Sequence, residues 1–238
     1  AFGLVSVLLV AALTGAVTGP VGWLPWAVAA GVAGTVGLVS FYAALAAGTM
    51  GVVSPIAALG AVVPVAIAVA AGERPTGLQA AGIVVALLGA AAASGPELRG
   101  ASRRRPVLLA VVAGTGFGLA LYFIGVGSQT SALMTLVGMR SVSVGVFLLA
   151  AVALRTLGGL RRRDVVPLAG IGIADAGANL AFGVAATMGL LSVTAVLGSL
   201  YPVVTVLLAR GVLGERLAGI QQVGVAAALG GVVLISTG

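Results

Sequence analysis

The chain has no cysteine, no histidine and no lysine, and only five acidic residues in 238. Each absence closes a class of chemistry. Without cysteine there is no disulfide and no thiolate nucleophile. Without cysteine and histidine together, nearly every transition-metal site is excluded, so no metal and no cofactor is expected. Serine hydrolysis needs a base beside the nucleophile, and neither histidine nor lysine is there to supply one. A membrane aspartyl protease needs two carboxylates inside apolar segments, and only Asp175 meets that description. No GxxxxGK[ST] loop is present, so ATP hydrolysis is not expected either. The sequence therefore does not read as an enzyme. Charged residues make up 7% of the chain, where a soluble domain carries about 25%. Such a chain cannot clothe its own surface in water.

What it has instead is apolar length. Hydrophobic residues are 61% of the total. Nine segments approach or reach the roughly 17–25 residues needed to cross a bilayer: 2–17, 22–47, 50–71, 76–95, 107–127, 131–155, 165–187, 190–212 and 217–237. The intervals between them are short and marked by glycine, proline and polar residues, with no room for a soluble domain. The net charge of +7 is carried by arginine. Arginines cluster at Arg99 and Arg103–Arg105, and again at Arg155 and Arg161–Arg163, two crossings apart and so on one face. That pattern points to the lipid bilayer and its anionic headgroups as partner, with the clusters on the cytoplasmic side, and not to nucleic acid. Trp23 and Trp26 at the start of the second segment suit the headgroup level.

The chain also says the same thing twice. Thr49-Met50-Gly51, Ser54, Ala57, Leu59-Gly60 and Pro64-Val65 return 138 positions later as Thr187-Met188-Gly189, Ser192, Ala195, Leu197-Gly198 and Pro202-Val203. Gly72-Glu73-Arg74, Gly77, Gln79, Gly82, Ala86-Leu87 and Gly89 return 142 positions later as Gly214-Glu215-Arg216, Gly219, Gln221, Gly224, Ala228-Leu229 and Gly231. The slip of four is about one helical turn and roughly preserves the inward face. Two units follow, residues 1–98 with four segments and 107–238 with five. The first lacks a counterpart of 107–127, which implies one helix missing at the N-terminus. A five-crossing unit returns the chain upside down, so the two repeats have inverted topology. Repeats of that kind place a substrate site between them near the midplane. The expected fold is thus all-α, a polytopic membrane protein of nine transmembrane helices in two inverted repeats.

Motif, spacing and duplication together resemble the EamA family of the drug/metabolite transporter superfamily. The resemblance rests on Gly72-Glu73-Arg74 and Gly214-Glu215-Arg216, each following an apolar helix with an internal proline and preceding a helix that carries glutamine and glycine. It implies a secondary transporter in a bacterial-type cytoplasmic membrane, with both termini in the cytoplasm, whereas the arginine count puts the C-terminus outside. The implied activity is export of a small-molecule substrate, such as an amino acid or a relative, by alternating access. A lipid flippase, or a membrane scaffold without transport, is the alternative.

Within that frame several residues are candidates for chemistry. Asp175 lies near the middle of its segment, where a carboxylate costs about 2.5–3.5 kcal/mol on insertion scales unless neutralised or paired. It reads either as a proton-coupling or substrate-binding group, or as the partner of Arg140 in a structural ion pair. Asn179 follows one turn on and shares its face. Arg140, roughly 13–15 Å into its own segment, could pair with Asp175 or hold a substrate carboxylate in its planar fork. Tyr122, Tyr201 and Ser199 are candidates for a polar lining, and Pro64 and Pro202 for a kink or hinge. Glu73-Arg74 and Glu215-Arg216 read as a cap, turn or inter-repeat salt bridge. Gly82-x-x-x-Ala86 and Gly224-x-x-x-Ala228 permit close helix approach, within the chain or in a homodimer.

Overall fold

The computed structural model describes residues 2–16, 19–48, 50–95, 104–156, 159, 161–213 and 217–238. These residues form helices α1 (Phe2–Thr14), α2 (Leu24–Ala47), α3 (Met50–Ala58), α4 (Val62–Ala70), α5 (Gly77–Ala93), α6 (Arg104–Leu154), α7 (Val165–Met188), α8 (Leu191–Gly198), α9 (Tyr201–Leu213) and α10 (Gly219–Thr237). No strand occurs among the described residues. Among the described residues six helical stretches are long and apolar enough to cross a membrane: Leu24–Ala47, Val52–Ala70, Arg104–Leu154, Val165–Met188, Leu191–Val212 and Gly219–Thr237. The 13 residues of α1 and the 17 of α5 fall short, at about 20 and 26 Å by helical rise against a core of about 30 Å.

The 51 residues of α6 are interrupted by Ser131, whose φ of −163° and ψ of 108° are extended. The side chain of Ser131 accepts from the Met134 N–H at 3.3 Å, as an N-cap does. Two helices therefore meet there, beside the polar stretch Ser128–Thr130 that the sequence marks as a boundary. The two proline-bearing segments are broken as well. A 3-10 turn at Leu59–Ala61 separates α3 from α4, and Ser199-Leu200 separate α8 from α9. Proline removes the N–H that would bond the carbonyl four residues back and crowds that carbonyl. Gly60 and Gly198 are those residues, so each helix yields ahead of its proline and not at it.

The helices gather into two compact units, and each draws on both halves of the sequence. One comprises Ala1–Thr35 and Phe123–Met188, the other Val36–Tyr122 and Gly189–Gly238. In the first unit α1 meets α7 where a Cβ on Gly3 would lie 2.5 Å from the Gly172 carbonyl oxygen. The start of α2 packs on the second part of α6. Gly138 there makes room for the Trp23 ring, which a Cβ would meet at 2.8 Å. Trp26 stacks on Phe123 with centroids 6.1 Å apart. These indoles have a packing task in addition to any at the headgroup level. Thr35 donates to Ser143 at 3.2 Å, a polar link between the same two helices.

The second unit is centred on α5 and α10. Gly82 faces Gly231 and Gly89 faces Gly224, so the two helices run antiparallel. A Cβ on any of the four would come within 2.7–2.8 Å of the facing glycine's carbonyl oxygen. The bare Cα–H groups instead approach those oxygens closely. Adding 142 to Gly82 and Gly89 gives Gly224 and Gly231, so each contact is carried onto the other by exchanging the repeats. The small-residue faces offered by the sequence are thus spent on each other. Around them Ala61, Ile83, Ala86, Leu87, Val196 and Ile235 form a buried cluster. The glutamine of each repeat caps its helix. Gln79 and Thr76 make a reciprocal capping box, at 3.1 and 3.0 Å. In α10 only half of the box survives, Gln221 accepting from the Ala218 N–H at 3.0 Å, because alanine brings no side-chain oxygen.

Candidate functional site

Asp175 comes from α7 and Arg140 from the second part of α6, both in the first unit. Arg140 is nine residues beyond the break at Ser131, about 14 Å along the helix, and Asp175 is ten beyond Val165, about 15 Å. Both are well inside their helices. The Arg140 guanidinium donates through Nη2 to Asp175 Oδ2 in a direct ion pair. Asn179, one turn further along α7, donates to Asp175 Oδ1 at 3.3 Å and to the Asp175 carbonyl at 2.8 Å. Its amide thereby fixes the second carboxylate oxygen. The Arg140 side chain is 19% exposed and that of Asp175 53%. The pair is therefore sealed on the arginine side and open on the aspartate side. Arg140 Nε is buried and has no hydrogen-bond partner.

Three of the sequence candidates thus converge: Asp175, Arg140 and Asn179. Tyr122, Ser199 and Tyr201 belong to the second unit. Ser199 is buried and its hydroxyl donates to the Val196 carbonyl at 2.8 Å. Tyr201 opens α9 with half of its surface exposed. Pro64 is fully buried in α4, and Pro202 is buried in α9. Both sit beyond the breaks they cause. Among the described residues no group of three metal-ligating side chains comes together.

One contact was only half legible in the sequence. Glu73 leaves the turn after α4 and reaches across 118 residues of sequence to the N-terminus of α8. Its carboxylate accepts from the backbone N–H groups of Leu191 at 2.8 Å and Ser192 at 3.0 Å, and from the Ser192 hydroxyl at 2.7 Å. An anion at the positive end of a helix satisfies N–H groups that have no partner within it. Of the readings open to Glu73, the cap is the one observed. Glu215 and Arg216 lie outside the described residues. Ser54, the repeat counterpart of Ser192, has a buried hydroxyl without a hydrogen-bond partner among the described residues. The sequence signal for this contact was the spacing itself, since Gly-Glu-Arg and the serine recur together.

Comparison with known proteins speaks to family and fold. The profile of the EamA-like transporter family matches residues 104–237, more than half of the chain. No curated protein matches it in sequence. Among solved structures, one whose title says only that it is the crystal structure of a protein is similar with a TM-score of 0.81. The likeness covers 99% of this chain and 83% of that one at 16% sequence identity, which speaks to the fold alone.

Proposed function

We infer the function from one premise: the chain belongs to the EamA-like transporter family and is an integral membrane protein, a transporter of the drug/metabolite superfamily. On that premise we propose a secondary transporter that exports small organic metabolites, amino acids or their relatives, across a cytoplasmic membrane of bacterial type. It would work by alternating access and draw on the proton gradient through Asp175. The proposed architecture is nine crossings in two inverted repeats, residues 1–98 and 107–238. The antiparallel α5 and α10, with contacts exchanged by the repeat offset, support that symmetry, because an in-plane two-fold axis inverts one member of each pair. The breaks ahead of Pro64 and Pro202 give each repeat a bend at the same place, as discontinuous helices of carriers require.

The observation that carries the reading is the Arg140–Asp175–Asn179 cluster. A charge pair deep in apolar helices is costly to insert, and half of the Asp175 surface is uncovered. Facing acyl chains, that surface would keep its ion pair but leave polar carboxylate surface without water or a further donor. Facing a water-filled path, it can exchange a proton or meet a substrate ammonium. Arg140 would meet a substrate carboxylate by exchanging it for Asp175 in its planar fork. Tyr201, Tyr122 and Ser199 are proposed to supply further polar lining to the path.

The test is flux into liposomes holding the purified chain, with amino acids as solutes and an imposed pH gradient. Wild-type protein is expected to move solute in a gradient-dependent manner, and Asp175→Asn to insert normally but lose that dependence. Lipid scrambling without solute flux would replace this reading by a flippase. Absence of both would leave a scaffold. Wild-type flux from Asp175→Asn at every pH would remove the aspartate from coupling.

A further inference from the structure

The last turn of α6 holds an arginine where glycine belongs. Arg155 has φ of +50°, the one positive φ outside glycine among the described residues. Its N–H bonds the Val152 carbonyl at 3.2 Å, and the next N–H, of Thr156, bonds the Ala151 carbonyl at 3.1 Å. That pair of bonds is the Schellman closure, whose left-handed position is normally glycine because a Cβ is strained there. The chain has 38 glycines and places one at φ +71° after α5 and one at φ +67° after α1. At the end of α6 it keeps a side chain instead. A strained non-glycine residue is a reason to ask what its side chain does.

The surroundings answer the question. Leu148, Ala151, Val152, Arg155 and Thr156 line a groove of about 220 Å³. It is apolar along the helix and basic at its end. Leu148 is 59% exposed and Val152 75%. From Ser131 to Leu154 the helix rises about 35 Å, enough to carry its end through a core of about 30 Å to the headgroups. The stretch from Arg155 to Asp164 holds four arginines against one aspartate, a net +3. Asp164 is spent on the Arg161 N–H, at 2.9 Å, and on Arg163. The ion pairs among the described residues are Arg140–Asp175 and Arg163–Asp164, so no described carboxylate neutralises Arg155.

We propose that the C-terminal end of α6 binds an anionic phospholipid, with the Arg155 guanidinium on the headgroup phosphate and an acyl chain along Leu148, Ala151 and Val152. The cation explains why the left-handed position is not glycine. The apolar groove at bilayer depth selects a lipid over a free anion. A guanidinium offers a phosphate two parallel donors, and basic residues at this level attract anionic headgroups. The site does not depend on what the protein transports.

The test uses the full chain in mixed micelles, with native mass spectrometry to count retained lipid and thermal melts to read stabilisation. Phosphatidylglycerol is expected to be retained in preference to phosphatidylcholine and to raise the melting temperature. Arg155→Gly suits the backbone and removes the charge. It is expected to melt no lower than wild type in lipid-free detergent, yet to bind phosphatidylglycerol about five-fold more weakly, the share of one basic residue at an anionic surface. Arg155→Lys should keep most of the preference, and Leu148→Gln should weaken retention of both lipids. Three results would overturn the site: equal phosphatidylglycerol retention by Arg155→Gly, no headgroup preference in wild type, or displacement of the lipid by soluble glycerol phosphate with no effect of Leu148→Gln.

Discussion

Removing the carboxylate of Glu73 tests whether the half-helix α8 is held from outside itself. In the structure that one side chain takes three hydrogen bonds, two from backbone N–H groups and one from the fully buried Ser192 hydroxyl. A bond to a charged acceptor contributes about 1.5–3 kcal/mol, and an anion at a helix N-terminus adds about 0.3–1 kcal/mol at a surface. Glu73 is only half-buried, water can replace part of what is lost, and three bonds to one group do not add. We therefore expect Glu73→Ala to cost about 3 kcal/mol. Glu73→Gln keeps one carbonyl oxygen and the reach but loses the charge and an acceptor, so about 1–2 kcal/mol is expected. For a chain of this size a loss of 1 kcal/mol lowers the melting temperature by roughly 2–4 °C. The alanine variant should then melt roughly 6–12 °C lower, in a fixed detergent followed by intrinsic tryptophan fluorescence.

The pairing itself is read by a double-mutant cycle. Ser192→Ala removes one of the three bonds, and combined with Glu73→Gln it should cost less than the sum of the two by about 0.5–1 kcal/mol. Ser54→Ala is the internal control, because the Ser54 hydroxyl has no hydrogen-bond partner among the described residues. Its change should stay within about 0.5 kcal/mol. A Glu73→Ala variant that melts with the wild type, or strict additivity in the cycle, would refute the cap.

Three further outcomes follow from the same packing. Gly89→Leu drives a side chain into the α10 backbone and should destabilise by about 3 kcal/mol or more, beyond the usual overpacking cost of about 1–3 kcal/mol, because the obstruction is main chain; a properly folded, normally melting variant would show that α5 and α10 can part. Ala218→Thr supplies to α10 the oxygen that Thr76 gives α5, completing the capping box, and should raise stability by about 0.5–1 kcal/mol in the same melts. Arg140→Ala leaves Asp175 unpaired within its helix and should reduce folding yield, with partial recovery in the Arg140→Ala/Asp175→Ala double variant; strictly additive losses in yield would deny the pair a structural part.

The scarcity that opens the sequence is what made its central contact legible. One acid and one deep cation lie inside apolar runs, and each is the other's only oppositely charged side chain at that depth, so pairing was one of the two readings open to them. Depth along the helices agreed, so Asp175 and Arg140 could be matched without knowing how the helices pack. Asn179 followed from helical periodicity alone. The same reasoning had no purchase on Tyr122, Tyr201 or Ser199. Hydroxyl groups are numerous in this chain, each can be satisfied by its own helix, as Ser199 is by Val196, and spacing says nothing about which compact unit a residue joins. The proline segments show a different limit. Pro64 and Pro202 correctly announced a disturbance, but a proline acts on the carbonyl four residues back, so the breaks fall at Leu59–Ala61 and Ser199-Leu200. Glu73 shows a third. Its recurrence as Glu215 marked the position, yet a cap spanning 118 residues depends on where the chain folds back, and the duplication gives the partners only after one of them has been seen. That asymmetry has a physical source. A charge buried in lipid has few solutions and each is costly to miss, whereas a carboxylate at a helix boundary has water as a cheap alternative. Sequence therefore constrained the interior charges of this protein more tightly than those at its edges.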